Sequence, residues 1–302
     1  MPSQVSERGG DGKQPDQRQG EQPPSNARQR RQQRYVAIGA VVVVLAAVAV
    51  IVGIKVASGT NTGLDTRSAI SRAALDEVFA VTPDQMKAAS VYIPLSSYPF
   101  RITSPAMTSA GKPELLYIGA EYCPYCAGER WAMAMALNQF GTFSGLRSIT
   151  STPNDTVASV PSFTFYHATY SSPYVAFRPV EQQTVSGKAL ETPSRAEEAT
   201  LQQFDRPPYV KTGGIPFLDF GGKWIQDGIN YDDAALQHQS FDTIASQLAG
   251  DGHGPSTPAT ESIAATAGMI ISHLCALTGG RSLHDNAACQ AFPTVISKAS
   301  NV

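Results

Sequence analysis

The sequence predicts an α/β domain hung on one membrane-spanning helix, and three stretches carry that reading. Leu115–Ile118 is an apolar run of strand length that breaks at Gly119-Ala120 and runs into Cys123-Pro124-Tyr125-Cys126. Good helix formers follow without Gly or Pro from Glu129 to Phe140. Gly213-Gly214-Ile215-Pro216-Phe217 opens a second apolar pair of segments that turns at Gly221-Gly222, a hairpin signal. Far upstream, the 19 residues from Val36 to Ile54 carry no charge, a length that approaches the ~30 Å hydrocarbon core at a rise of ~1.5 Å per residue.

Residues 1–34 are dominated by Gln, Arg, Gly, Pro, Ser and Asp and hold too little apolar surface to fold alone, so a disordered basic tail is expected. Residues 35–56 read as an uncleaved transmembrane helix. The rival readings are a buried soluble helix and a signal peptide, whose apolar region of ~7–15 residues is shorter than this run. Arg28, Arg30, Arg31 and Arg34 crowd the N-terminal flank, which places the tail in the cytoplasm and the roughly 245 residues beyond the span outside it. A single-pass cell-membrane protein with an extracytoplasmic main domain is therefore expected, in a compartment that permits disulfides. A net charge of −2 gives no reason to expect nucleic acid.

Residues 57–66 form a Gly/Ser/Thr/Asn-rich tether, and 67–110 an N-terminal extension packed on the main domain. Within the extension, Ser71–Ala80 suggests a helix, and Thr82-Pro83-Asp84 opens another with Pro at its first position. The main domain spans 111–250. After the Leu115–Ile118 strand and a helix over Cys126–Gln139, Leu146–Thr150 is expected to return parallel to the first strand in a βαβ crossover. Ser162–Tyr166 and Tyr174–Val180 read as further strands, Pro193–Phe204 as a polar helix, and Asp232–Leu248 as a closing helix. Residues 251–258 form a linker, and 259–302 a C-terminal helical segment with helices over Glu261–Leu277 and Ala287–Lys298.

Strand, break, Cys-x-x-Cys and helix is the arrangement a dithiol site needs. It sets Cys123 at a helix N-terminus, where unpaired N–H groups and the helix dipole stabilise a thiolate. Cys123 is then the nucleophile and Cys126 the resolving thiol, the two cycling through a Cys123–Cys126 disulfide. Half of a zinc site is the competing chemistry. It needs a second close pair, and Cys275 and Cys289 have thirteen residues between them. A purely structural disulfide in a binding module is the other. Cys275–Cys289 reads either as a disulfide stapling the last two helices or as a second redox pair relaying electrons. Tyr122 and Tyr125 are candidate substrate contacts, Trp131 a core residue, and Glu121 a solvated loop carboxylate with thiolate tuning as its alternative. His167, His238, His253, His273 and His284 show no metal-ligand spacing, and no phosphate-binding loop occurs. No metal and no cofactor is expected.

The order strand, Cys-Pro-Tyr-Cys, helix, Ile215-Pro216, hairpin, last helix resembles the thioredoxin superfamily, and the tetrapeptide is similar to that of glutaredoxins. The stretch Gly119-Ala-Glu-Tyr-Cys-Pro-Tyr-Cys-Ala-Gly-Glu-Arg-Trp131 behind an N-terminal anchor looks like the membrane family called domain of unknown function 929. The resemblance covers about residues 70–300. It implies a thioredoxin-like fold with an insertion around 151–205 and a C-terminal helical extension. Read alone, Pro216 is a trans turn proline; by the resemblance it is the cis-proline facing the dithiol, with the Ile215 backbone beside the sulfurs to pair an incoming peptide strand. The activity implied is thiol–disulfide exchange on exported proteins, with a membrane redox partner that recycles the site. A non-catalytic binding or assembly module is the alternative.

Overall fold

A computed structural model describes residues 67–89, 98–279 and 286–292. The tail, the transmembrane span and the tether predicted for residues 1–66 lie outside the described residues, as does the latter part of the last helix. The described chain begins with β1 (Ser68–Ala69), α1 (Arg72–Phe79) and α2 (Pro83–Ala89). Then come β2 (Phe100–Arg101), β3 (Thr108–Ser109), β4 (Lys112–Gly119) and α3 (Pro124–Asn138). A run of short strands comes after: β5 (Thr142–Ser144), β6 (Arg147–Thr150), β7 (Pro161–Thr164), β8 (Thr169–Ser171) and β9 (Ala176–Glu181). Next are α4 (Arg195–Phe204), the hairpin β10 (Phe217–Phe220) and β11 (Trp224–Asp227), α5 (Phe241–Ala249), α6 (Pro258–Leu277) and α7 (Ala287–Ala291).

This is the mixed α/β architecture expected, built around β4. On one side β4 pairs antiparallel with β10, with Leu116 opposite Asp219, and β11 and β2 continue the sheet. On its other side β4 pairs in parallel with β9, with Leu115 opposite Phe177, while β3 pairs with its start. Side chains alternate across the sheet as a two-residue period requires. Leu115, Tyr117, Leu218 and Phe220 face a large core that contains α3, α5 and α6. Leu116, Ile118, Phe217 and Ile225 face a smaller one closed by Phe204 of α4 and Ile215.

The crossover differs from the sequence expectation. Arg147–Thr150 does not run parallel to β4; β6 pairs antiparallel with β1 and β7 in a separate sheet. Its only fully buried side chain is Ile149, whereas β9 supplies Phe177 to one core and Val180 to the other. A strand that fills both faces outcompetes one that fills a single face. The closing helix is also interrupted. Asp232 caps a 3-10 turn over Asp233–Leu236, the chain passes through Gln237 and a left-handed His238 (φ 59°), and Ser240 caps α5 afresh. Asp and Ser are strong N-cap residues, so two starts break one helix.

The extension adds to the larger core: Val78 and Met86 are buried in it, α1 packs on α5, and α2 packs on α6. Among the described residues α6 is long and apolar enough to cross a membrane, but 83% of its apolar window is buried inside the protein, where it packs along α3. It is a core helix. The segment that composition sets apart behind a linker therefore shares one core with the sheet.

Candidate active site

The dithiol stands where β4 ends and α3 begins. Cys123 is the N-cap of α3, with extended backbone (φ −74°, ψ 122°), and Pro124 occupies the first helical turn, where its missing N–H costs nothing. The Cys123 Sγ accepts a hydrogen bond from the Cys126 N–H at 3.3 Å. One residue of the loop before β10 comes within reach: the Cys123 thiol lies 3.6 Å from the Ile215 carbonyl oxygen, and the Ile215–Pro216 peptide is cis. The loop is held from both ends, by the Gly214 N–H donating to Asp205 at 2.9 Å and the Gly228 N–H donating to the Pro216 carbonyl at 2.8 Å. The structure thus brings Cys123, Cys126, Ile215 and the cis Pro216 together.

Both cysteines are free thiols here, the reduced form of the expected Cys123–Cys126 pair. They differ in electrostatics. A hydrogen bond from the Cys126 thiol draws the Cys123 thiol below its usual range, against the opposing effect of burial; the Cys126 and Tyr125 N–H groups and the Arg130 charge assist. Burial, with Cys123 as hydrogen-bond acceptor, pushes the Cys126 thiol well up. One thiol is poised to ionise and the other to hold its proton. Cys123 is nevertheless only 4% exposed, less open than a nucleophile at a helix N-terminus is expected to be. Tyr125 in the same turn is 41% exposed and Tyr122 half-buried, so of the two predicted contact residues Tyr125 is the one presented to solvent.

The expectation for Glu121 is corrected. It is 1% exposed, and both its oxygens are taken: Arg67 donates through Nε at 2.7 Å and through a terminal nitrogen at 2.8 Å, and the Thr164 hydroxyl donates at 2.6 Å. Glu121 therefore anchors the chain at its entry to the domain beside the motif. Arg67 also lies over the Tyr166 ring.

Two further groups escape the sequence. Arg130, wholly buried in α3, donates to the Ala120 carbonyl at 2.6 Å, to the Tyr117 hydroxyl at 3.1 Å and to the Phe163 carbonyl at 3.2 Å. Its ion-pair partner is Glu181 of β9, 2.9 Å from Nε and equally buried. Glu129 beside it is also fully buried. Burial raises its carboxyl to about 8, the neighbouring Gln226 offsets only part of that, and neither oxygen has a hydrogen-bond partner among the described residues. An Arg or Glu in the middle of an apolar helix is a legible anomaly; its partner 51 residues away is not.

Trp131 is a core residue, stacked on Phe241 at 4.5 Å with its indole N–H given to the Pro161 carbonyl at 2.8 Å. Cys275 and Cys289 form a disulfide that ties α6 to α7, with Cα atoms 5.5 Å apart. No group of three His, Cys, Asp or Glu side chains with the geometry of a metal site occurs among the described residues.

A family model described as a domain of unknown function (DUF929) matches residues 98–204. That stretch holds β4, the dithiol, α3 and β9, and so Cys123, Cys126, Arg130 and Glu181; it ends before Ile215-Pro216. No curated protein and no solved structure matches the chain.

Proposed function

We propose that this chain is a membrane-anchored thiol–disulfide oxidoreductase of thioredoxin-like fold, acting through Cys123 and Cys126 on exported proteins outside the cytoplasm. The observation that carries the reading is the unequal pair of free thiols at the N-terminus of α3, with the Ile215 carbonyl 3.6 Å from the sulfur of Cys123. The anchor rests on the uncharged run from Val36 to Ile54 and its orientation on the arginines before it.

One turnover balances in atoms and electrons. The Cys123 thiolate attacks one sulfur of a substrate disulfide; the Cys123–substrate S–S bond forms as the substrate's own bond breaks, and the leaving thiolate takes up a proton. Cys126 loses its proton and attacks the Cys123 sulfur, releasing the second substrate thiolate and closing the Cys123–Cys126 disulfide. The substrate gains two electrons and the dithiol loses two. Run backwards, the same steps oxidise a substrate dithiol, and a membrane redox partner carrying a dithiol or disulfide resets the pair. Ile215 offers its backbone, and Tyr125 its exposed ring, to the incoming chain.

The test is the equilibrium of the full-length chain in detergent with glutathione buffers, trapped by alkylation and read by mass spectrometry for each cysteine. A reversible Cys123/Cys126 transition is expected. A midpoint near −120 to −180 mV would mark an oxidase or isomerase and one near −230 to −270 mV a reductase, on the scale set by about −120 mV for strongly oxidising and −270 mV for reducing dithiol proteins. The near-closure of Cys123 favours one other reading, a binding or assembly module with structural cysteines. A pair that stays oxidised below about −300 mV, with Cys123 inert to alkylation, would establish that module and end the oxidoreductase reading.

A further inference from the structure

Arg130 is a guanidinium in the centre of an apolar helix, with no exposed surface and with every face engaged. It comes one helical turn after Cys126 and two after Cys123, so it lies on the helix face that carries the sulfurs. Helical side chains lean toward the N-terminus, and this one runs back along α3 to the start of the motif. There it donates at 2.6 Å to the Ala120 carbonyl, the same oxygen that receives the Cys123 N–H at 3.2 Å. The cation and the backbone of the nucleophilic cysteine share one acceptor.

Stability alone does not account for such a group. Replacing a buried ion pair with well-packed apolar residues is often neutral or stabilising, because taking charges out of water offsets their attraction. Here the pair is Arg130 with Glu181, and beyond the motif and Glu129 the buried positions of α3 are Ala, Gly, Trp, Met and Leu. Cys123, in turn, is a nearly closed thiol whose burial disfavours ionisation. The hydrogen bond from the Cys126 thiol is the first influence that favours ionisation, and Arg130 adds a positive charge that no lysine or histidine of the motif supplies.

We propose that Arg130 is a positioning residue of the dithiol site, its buried guanidinium holding the Ala120 carbonyl and supplying the internal positive charge that stabilises the Cys123 thiolate, with Glu181 setting how much of that charge the sulfur feels. The proposal rests on the thiol–disulfide reading. Its electrostatic direction is consistent: the Arg130 charge pulls both thiols downward against the effect of burial. The other ionisable groups around the site are Tyr117 from β4, pushed well up by burial, Glu181 from β9, and Tyr122 and the Arg67-paired Glu121 in the motif loop. Burial also pushes Glu181 up, and Arg130 pulls it back. Arg130 is thus the cation that faces the sulfurs from their own helix, and Glu181 its counter-charge. A cation that favours the thiolate also favours the reduced dithiol, making the pair a stronger oxidant.

The experiment measures the pH dependence of Cys123 alkylation and the glutathione equilibrium of the full-length chain in detergent, for wild type, Arg130→Met, Arg130→Lys and Glu181→Gln. Arg130→Met should move the alkylation midpoint up by about one pH unit, about a tenfold loss of thiolate at pH values well below the midpoint, and shift the equilibrium toward the disulfide. Glu181→Gln, which leaves the guanidinium unbalanced, should move both readouts the other way. Arg130→Lys should retain part of the wild-type thiolate and keeps the test available if Arg130→Met does not fold. An ion pair that only holds the fold would lower stability in both partners' variants and move neither midpoint; that result, or shifts of the same sign from Arg130→Met and Glu181→Gln, overturns the proposal. If wild-type Cys123 itself does not react, it is the oxidoreductase reading that has failed, and the wild-type measurement alone reveals it.

Discussion

Glu129 and Arg130 are adjacent, equally buried, and resolved in opposite ways. Arg130 has a full set of acceptors, whereas both oxygens of Glu129 lack a hydrogen-bond partner among the described residues. A carboxyl without partners keeps its proton when buried, which is why it is raised to about 8. The consequence for stability has a definite sign. Between the ordinary carboxylate value and about 8, the native state holds this proton and the unfolded chain does not. Stability is therefore fully present below that ordinary value and is lost as pH rises through about 8, with a slope approaching about 1.4 kcal/mol per pH unit for one proton. Burial raises Asp219 and Asp233 to about 6 and, with the help of Asp205, Asp227 to about 7, so they slope the same way, and the contribution must be read by difference. Glu129→Gln keeps the shape and removes the titrating proton; thermal melts from pH 5 to 9 should show the variant gaining on wild type up to about pH 8 and the gain levelling off above it, whereas parallel curves throughout would show that Glu129 is ionised in the fold. A second residue-scale outcome concerns Cys126. On the proposed oxidoreductase reading, Cys126→Ser removes the resolving thiol, so Cys123 should accumulate a mixed disulfide with glutathione that mass spectrometry detects; a variant that cleared the adduct as fast as wild type would mean that Cys126 is not the thiol that resolves it. Read alone, Pro216 is a trans turn proline and its cis form is expected only from the resemblance, but Cys123 and Cys126 are legible in the sequence because their spacing is local and their chemistry specific. The Glu121–Arg67 and Arg130–Glu181 pairs are not, because each joins residues more than fifty positions apart and the sequence shows only isolated charges.

At the scale of elements, the unit β4–turn–α3 is legible because its signals are local: a run of strand length, a break, and Pro124 in the first helical turn behind a capping side chain. The strand that pairs in parallel with β4 is not. Arg147–Thr150 follows soon after α3 and has the right length, but partner choice depends on which later strand can bury side chains on both faces, and that is β9. Helix α4 shows how a local signal is placed by capping. Ser194 and Glu197 form a reciprocal capping box, Ser194 Oγ accepting from the Glu197 N–H at 3.3 Å and Glu197 accepting from the Ser194 N–H at 2.6 Å. Glu197 also pairs with Arg178 of β9 at 2.7 Å, which ties the helix to the sheet. Ser194→Ala should cost about 1 kcal/mol in a denaturant titration. Because α4 closes the core on the face of the sheet opposite α3, the Cys123/Cys126 equilibrium should not move; a shift in it would mean that α4 and the dithiol are coupled through β4.

Across the whole molecule, the larger core is a continuous body from α1 and α2 at the start of the described chain to α6 and α7 at its end. A linker rich in Gly and Pro made residues 259–302 look separable, yet α6 lies along α3, and α2 packs on both α6 and α7. Composition reveals where a chain turns, not whether the next segment packs back. The Cys275–Cys289 disulfide sits inside this body, with Cys289 fully buried and Cys275 4% exposed. Closing a 14-residue separation lowers the entropy of the unfolded chain by the equivalent of about 3 kcal/mol in the chain-entropy model. The double variant Cys275→Ala/Cys289→Ala should accordingly melt well below wild type and lose about that much stability in denaturant. The same variant separates the two roles the sequence leaves open. As a staple, the bond is remote in function from the dithiol, so the alkylation rate of Cys123 and its glutathione equilibrium should be those of wild type at temperatures where both are folded. As an electron relay, it would be required to reset the pair, and turnover with a reducing partner would stop after one cycle while stability changed little. A fall in stability with unchanged Cys123 chemistry makes the second cysteine pair a clasp on the C-terminal helices, and leaves Cys123 and Cys126 as the exchanging pair.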